Sequence, residues 1–131
     1  MALKKIKTKD FIDKYKTEYV KLSPVFSKAI GDTVYFNMSG FKHLIFKGRR
    51  RRENAAIFNR LVLVPLIAPV IHNCSKEKEI RVREEMINNK IIRVTYYSLE
   101  ARVGRDRVRV RVVTRKLGSL GKHYFQSVMR Y

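Results

Sequence analysis

The apolar residues near the N-terminus recur at helical spacing. Phe11, Tyr15, Tyr19 and Leu22 fall at positions i, i+4, i+8 and i+11, which is one face of an α-helix. Thr8 precedes this stripe and is predicted to cap the helix at its N-terminus. The lysines between the apolar positions fall on the opposite side, so we expect an amphipathic helix that docks on a core.

A short strand and a second helix are predicted next. Residues 34–38 form an apolar, aromatic run typical of a strand, and Ser39 is predicted to cap the helix that follows. Gly48 is expected to end that helix. The predicted inward-facing residues of the helix are Phe41, Leu44 and Ile45.

A further helical segment begins at Glu53 and is apolar on all sides between Leu61 and Ile71. Pro65 and Pro69 interrupt it, and a proline inside a helix removes a hydrogen bond and clashes with the preceding turn. We therefore predict a kinked or divided helix. Its apolar part is expected to be buried as the central core helix.

From residue 80 onward the hydrophobic period changes from helical to two. Strands are predicted over residues 80–83, 91–103, 108–115 and 123–129. Asn88-Asn89 suits a tight hairpin turn. Helices first and an antiparallel meander afterwards predict an α+β fold. In this fold, N-terminal helices pack on one face of a C-terminal four-stranded antiparallel sheet.

Length and apolar content indicate one domain. The chain has 131 residues, of which 45% are hydrophobic, enough for a core of its own. We predict a single domain over residues 1–131, in which residues 1–33 form an N-terminal helical extension.

Charge points to a polyanionic partner. Thirty Lys and Arg residues against 11 Asp and Glu residues give a net charge of +19, and so one-sided a charge is typical of proteins that bind nucleic acid. A membrane surface is the weaker alternative. The predicted nucleic-acid contacts are Lys42, Arg49, Arg50, Arg51, Arg52, Arg105, Arg107, Arg109, Arg111 and Lys122.

The arginines of the third C-terminal strand alternate with valines. Because side chains alternate faces along a strand, Arg105, Arg107, Arg109 and Arg111 are predicted to line one face. On the fourth strand, the same rule predicts that His123, Phe125, Ser127 and Met129 share a face. A row of guanidinium groups beside an imidazole and a hydroxyl would suit the binding of a phosphodiester.

The single cysteine and the N-terminus bear on location. Cys74 has no partner for an internal disulfide and is predicted to be a buried structural thiol. Residues 1–6 lack a signal-peptide hydrophobic region, and the apolar run from residue 61 to 71 is too short to span a bilayer. We expect a soluble, cytoplasmic protein with no membrane association.

The sequence shows no motif for binding a metal ion or a cofactor. It contains no His-x-x-x-His or Cys-x-x-Cys pair, no phosphate-binding glycine loop and no dinucleotide fingerprint. We therefore expect neither a metal nor a cofactor. Metal-free RNA cleavage needs only a base for the ribose 2′-OH, an acid for the leaving 5′-oxygen and cations for the phosphate charge.

Histidine suits both proton-transfer roles, and the chain has three. His43 is either a site residue or a structural histidine. His123 with Ser127 has a stronger claim to be a site pair, because the two are predicted to share a face beside the arginine strand, but Ser127 alone is more often a hydrogen-bonded sheet residue. His72 follows an apolar run and is predicted to be a C-terminal helix residue.

Two charged residues lie within otherwise apolar elements. Arg60 either extends its head to solvent, joins a site or pairs with a buried carboxylate such as Glu100. Glu100 is a general base, a partner that orients Arg102, or a cross-strand ion pair with an arginine of residues 107–111. We rank the ion pair first.

Four stretches together resemble a known nuclease superfamily. They are Phe-Lys-His-Leu-Ile-Phe-Lys-Gly-Arg at 41–49, Arg60 before Leu-Val-Leu-Val-Pro, Tyr96 to Glu100 with Val-Arg-Val at 108–110, and Lys-His-Tyr-Phe-Gln-Ser-Val at 122–128. Over residues 34–130 the chain resembles phage-associated nucleases of the barnase, EndoU, colicin-tRNase and RelE-like (BECR-fold) superfamily. The resemblance implies a small helix-first domain that cleaves RNA without metal, often as a toxin neutralised by a partner protein.

The resemblance also marks site residues. Carried over by position, the catalytic residues would be His43, Arg60, His123 and Ser127, with Lys47 and Arg115 as weaker matches. We therefore predict a metal-independent, toxin-like endoribonuclease. Its partners would be tRNA, mRNA or rRNA and an acidic antitoxin or immunity protein.

Two other classes of function stay open. A non-catalytic RNA- or DNA-binding module, for example a ribosome-associated factor, would also explain the charge, which exceeds what one scissile site needs. A basic membrane-surface protein is less favoured, because the chain lacks a strong amphipathic basic helix beyond residues 8–22.

Overall fold

The computed structural model of the protein describes residues 7–131. Residues 1–6, which contain the segment searched for a signal peptide and the start of the predicted extension, lie outside the described residues. The described helices are α1 (Thr8–Val20), α2 (Met38–Ile45), α3 (Asn54–Leu61) and α4 (Val64–Asn73). The described strands are β1 (Val25–Ser27), β2 (Asp32–Tyr35), β3 (Phe46–Lys47), β4 (Arg50–Arg51), β5 (Glu79–Ile87), β6 (Lys90–Val103), β7 (Val108–Leu117) and β8 (His123–Arg130).

The α+β class is confirmed, but the predicted number of strands is wrong. The main sheet has six strands in the order β1-β2-β8-β7-β6-β5, because β1 and β2 join the predicted meander at its β8 edge. Strand β2 runs parallel to β8, and the other pairs are antiparallel. Strands of three and four residues carry too little alternation to stand out in the sequence.

Two helix starts also differ from the prediction. Thr8 lies inside α1, whose N-cap residue is Lys7 without a side-chain cap bond. The N-cap of α2 is Asn37 instead of Ser39, and its side chain accepts a hydrogen bond from the Gly40 amide over 3.1 Å.

Gly48, with a φ of 65°, turns the chain between β3 and β4 and does not end the helix directly.

The predicted break is confirmed near Pro65, whereas α4 continues through Pro69. Helix α3 follows Glu53 and ends at Leu61, and α4 begins at Val64 with Pro65 in its first turn. Within residues 7–131, no single helix is long and apolar enough for a membrane span; α3 and α4 satisfy length and composition only as a pair bent by 48°.

The core lies between α4 and one face of the sheet. The buried side of α4 packs on β6 and β7, where apolar side chains at alternate positions are buried. These core residues include Ile67, Ile71, Leu99, Val110 and Val112. The opposite face of the sheet, which we call the outer face, carries polar residues such as Tyr96, Glu100, Arg111 and Arg115, as the register requires.

Helix α2 flanks the edge of β8. Strand β2 pairs with β8 only at His123 and Tyr124, so β8 is free on that side farther along. There α2 packs against it, and a Cβ atom on Gly40 would lie 2.6 Å from the carbonyl oxygen of Phe125. Glycine is therefore needed for this approach, which sets the position of α2 beside the outer face.

The Asn88-Asn89 turn is confirmed as a tight hairpin. Asn88 and Asn89 have φ angles of 50° and 64°, as both central residues of a type I′ turn require. The turn joins β5 to β6 in a continuous antiparallel register.

Candidate nucleic-acid groove and active site

Three adjoining clefts form one groove along the outer face, which we call the outer groove. The first, of about 360 Å³, shares His43 and Gln126 with the second, of about 270 Å³. The second shares Ser39, Arg115 and Gln126 with the third, of about 280 Å³. Helix α2 forms one wall, and the strands β5 to β8 form the floor. Further lining residues are Lys42, Glu79, Arg81, Arg83, Tyr96, Arg111 and Tyr124.

His43 is half-buried in this groove and is surrounded by cations. Burial lowers the pKa of its imidazole, and the charges of Arg52, Arg60 and Arg115 lower it further. The side chain of Arg52 donates a hydrogen bond from Nε to the His43 carbonyl oxygen over 3.2 Å. The imidazole is therefore neutral near pH 7, the state in which it accepts a proton.

Arg60 reaches the same cluster from α3. Its Nη1 atom donates a hydrogen bond to the carbonyl oxygen of Val128 over 3.2 Å, on the side of β8 that β2 leaves unpaired. Glu100, the carboxylate considered as its partner, pairs with Arg111 instead, at 2.6 Å. The ion-pair interpretation of Glu100 is thus confirmed, and Arg60 binds β8 while its charge acts on His43.

Glu85 and Tyr96 join Arg115 on the groove floor. The Tyr96 hydroxyl donates a hydrogen bond to Glu85, and an Arg115 nitrogen lies 3.7 Å from the same carboxylate. Burial and the bond to Glu85 raise the pKa of Tyr96, so the phenol stays protonated. Neither Glu85 nor Tyr96 was predicted from the sequence as a site residue. Cross-strand register identifies Tyr96, which it places opposite Arg115. Glu85 is paired with Ile92, and its side chain reaches Tyr96 along the sheet.

The predicted pairing of His123 with Ser127 on one face is wrong. Phe125 pairs with Thr114 and Ser127 pairs with Val113, so a β-bulge places the extra residue Gln126 between them. Consecutive residues of β7 face opposite ways, and His123 and Ser127 therefore lie on opposite faces of the sheet. One inserted residue reverses the alternation on which the prediction depended.

His123 is a core residue. Only 3% of it is exposed, and its ring packs against the Tyr97 ring with centroids 5.3 Å apart. Its Nε2 atom lies 3.7 Å from Asp32, and its pKa is lowered by burial and by Lys116, while Asp32 acts in the opposite direction. The His123 side chain is on the same face of the sheet as Thr114, away from the outer groove.

The predicted row of four arginines on β7 is shorter than expected. Strand β7 begins at Val108, so Arg105 and Arg107 lie in the preceding turn, where Arg107 has a φ of 52°. Only Arg109 and Arg111 remain in the strand, and both guanidinium groups lie over the Tyr131 ring. On the outer face the cationic line continues to Arg115, beyond Val113.

The basic run after α2 forms the hairpin of β3 and β4. Arg49, Arg50 and Arg51 are exposed there together with Lys47, while Arg52 is partly buried against His43. Lys42 and Gly48 line the groove beside this hairpin. The hairpin therefore adds positive charge at one end of the outer groove.

Two structural predictions are confirmed away from the groove. His72 lies in the last turn of α4 and is exposed, and Cys74 is a buried free thiol. Among residues 7–131, no group of three or more His, Cys, Asp and Glu side chains is arranged to hold a metal ion.

No protein-family profile, curated protein or solved structure matches the chain significantly. Function is therefore inferred from the chemistry of the outer groove and from the short motifs of the nuclease resemblance.

Proposed function

We propose that the protein is a metal-independent endoribonuclease, a toxin-like enzyme of the barnase, EndoU, colicin-tRNase and RelE-like type. One observation carries the proposal above the others: a half-buried imidazole, His43, is surrounded by the charges of Arg52, Arg60 and Arg115 in an open groove. A neutral base among fixed cations is the arrangement that a 2′-OH attack on phosphorus needs.

His43 accepts the proton of the ribose 2′-OH. The 2′-oxygen attacks the adjacent phosphorus, the bond from phosphorus to the 5′-oxygen breaks, and the products are a 2′,3′-cyclic phosphate and a 5′-hydroxyl. Tyr96 lines the same cleft and is protonated, so it is the acid assigned to the leaving 5′-oxygen. Glu85 accepts the hydrogen bond of that hydroxyl and fixes its position, and solvent reprotonates the phenolate after the products leave.

The arginines stabilise charge on the non-bridging oxygens. A phosphodiester beside Arg52, Arg60 and Arg115 offsets their repulsion of a protonated His43, so accepting the proton becomes easier when substrate is bound. Lys47 and the neighbouring arginines add attraction for the rest of the polyanion. His123 receives no proton-transfer role, because it is buried on the opposite side of the sheet.

The test is RNA cleavage in EDTA by wild type, His43→Gln and a matched control, His72→Gln. Loss of a general base lowers the rate by about 10²-fold or more, so His43→Gln is expected to do so. His72 is exposed at the end of α4, and its substitution should leave the rate unchanged. Equal cleavage by folded His43→Gln and wild type would contradict the proposal.

A non-catalytic RNA- or DNA-binding module is the second candidate. The observation that favours it is the charge of +19, which exceeds the needs of one scissile phosphate. RNA that stays intact, with an affinity that falls steeply as salt rises and is unaffected by His43→Gln, would favour this function.

Location and partners follow from the enzymatic proposal. A toxin-like ribonuclease meets tRNA, mRNA or rRNA in the cytoplasm, which is where we place it. An acidic antitoxin or immunity protein would suit the basic groove, since complementary charge speeds association and selects the partner.

A further inference from the structure

A row of aromatic and cationic side chains crosses the outer face at right angles to the strands. Arg81 pairs with Tyr96, Tyr96 with Arg115, Arg115 with Tyr124, and Tyr124 with Tyr35. Directly paired residues project from the same face of a sheet. At a strand spacing of about 4.8 Å this transverse row is about 19 Å long.

One end of the transverse row is aromatic. The rings of Tyr35 and Tyr124 have centroids 6.1 Å apart and are inclined at 49°. The ammonium group of Lys122 lies 4.7 Å from the centroid of the Tyr35 ring. Both tyrosines are only partly buried, so each ring keeps surface on which a planar group can stack.

The transverse row passes directly beside His43, the proposed catalytic base. Arg115 lines the cleft that contains His43 and also the next cleft, which contains Tyr124. Tyr96 and Arg81 lie on the other side, in the first cleft. A chain with its phosphate at Arg115 therefore has aromatic rings available on both flanks.

We infer that the transverse row binds single-stranded RNA, with unpaired bases stacked on Tyr35 and Tyr124 and phosphates held by Arg115 and Lys122. The inference rests on the proposed function in taking the ligand of the outer groove to be RNA. Every base has a face that stacks on an aromatic ring, and cations between the rings follow the backbone. Bases in a duplex are already stacked in the helix and are not available to these rings.

The same row would also stabilise the sheet by cross-strand contacts alone. In that case substitution of the rings would change the stability of the fold and leave RNA affinity as it was. Direct measurement of binding separates the two explanations.

The experiment measures fluorescence anisotropy of a labelled 2′-O-methyl RNA, which lacks the attacking hydroxyl and stays intact. The probe is used as a single strand and as a duplex of the same sequence. The proteins are wild type, Tyr35→Leu, Tyr124→Leu, their Tyr→Phe counterparts and the control Tyr15→Leu. Tyr15 lies on α1, which packs on α3 and α4.

Each Tyr→Leu change in the row should weaken single-strand binding by at least about fivefold, the low end of the effect of losing one stacked base. The Tyr→Phe variants, which keep the ring, and Tyr15→Leu should bind like wild type, and duplex binding should change by less than about twofold. Wild-type affinity in both folded Leu variants, or equal losses for single strand and duplex, would overturn the inference. Tyr35 and Tyr124 are tested separately, so that one unfolded variant leaves the other to decide.

The result is independent of cleavage because the probe is not cut. Lost single-strand binding with no ribonuclease activity in wild type would support the transverse row and contradict the enzyme. Cleavage by wild type, together with unaltered RNA binding by the folded Leu variants, would support the enzyme and contradict the transverse row as an RNA-binding site.

Discussion

Arg52 donates a hydrogen bond from Nε to the backbone carbonyl oxygen of His43 over 3.2 Å. The bond links the residue after β4 to the last turn of α2 and holds a guanidinium group beside the imidazole. Arg60 and Arg115 add two further charges that act on the same histidine. The basic run after α2 thus supplies one residue that is partly buried at the site and three that are exposed.

Removing the charge of Arg52 should raise the pKa of His43. Burial remains, so the pKa of Arg52→Gln should move only part of the way back to the ordinary value of about 6.5. Titration of the imidazole by NMR measures this, and the acid limb of the cleavage rate should move to higher pH with it. Arg51→Gln is the control, since Arg51 is exposed and bonds to Asn54. The same pKa change in both variants would contradict the assigned contact.

Glu85→Gln should impair cleavage more than Glu84→Gln does. Glu85 accepts the Tyr96 hydrogen bond and lies 3.7 Å from Arg115, whereas Glu84 faces the other side of the sheet and pairs with Arg93. We expect about a tenfold or larger loss of kcat/KM for Glu85→Gln, equivalent to one charged hydrogen bond. Because the bond to Glu85 helps to raise the pKa of Tyr96, that pKa should also fall. Equal rates for the two variants would exclude Glu85 from the site.

The free energy of unfolding should decrease as the pH falls below the ordinary histidine pKa of about 6.5. Both His43 and His123 have lowered pKa values in the folded protein, so the unfolded chain binds protons first. Above that pH both states are neutral at these positions and the contribution is constant. Denaturant titrations across this range measure the slope, which His43→Gln should reduce. A slope that is unchanged in His43→Gln would contradict the lowered pKa.

Gly40→Ala should destabilise the fold although alanine favours a helix. The propensity gain is about 1 kcal/mol, but the new Cβ atom would lie 2.6 Å from a backbone oxygen of Phe125, and such overpacking costs about 1–3 kcal/mol. We expect a lower midpoint of thermal unfolding for Gly40→Ala and little change for its exposed neighbour Ser39→Ala. A midpoint at or above that of wild type would show that α2 can move away from β8 without a loss of stability.

The sequence predicted those elements whose period runs over many residues. From Leu99 to Val103 in β6 and from Val108 to Val112 in β7, apolar and charged side chains alternate, and the cross-strand pair of Glu100 with Arg111 followed from that alternation. The bulge at Gln126 has no such pattern, because a single inserted residue leaves the composition of β8 unchanged while it reverses the faces of His123 and Ser127.

Only part of the candidate site could be predicted from the sequence, again because only features with a local pattern are visible in it. His43, Arg52 and Arg60 are close in the sequence, and α2 packs on α3, whereas Arg115 lies on β7 and was marked only by the nuclease resemblance. The register between β6 and β7 places Tyr96 opposite Arg115. Glu85 is paired with Ile92 and contacts Tyr96 and Arg115 only through its side chain. No local sequence pattern indicates contacts of this kind between side chains of different strands.

In the proposed reaction, a ribose 2′-OH attacks the adjacent phosphorus without a metal ion, and His43 accepts its proton. The most direct measurement is cleavage of a single-stranded RNA in EDTA beside the same strand with a 2′-deoxy nucleotide at the cleaved position, with the products identified by mass spectrometry. We expect 2′,3′-cyclic phosphate ends from the RNA, no cut at the deoxy position, and a loss of about 10²-fold or more in His43→Gln. A cut at the deoxy position, or full activity of folded His43→Gln, would contradict it.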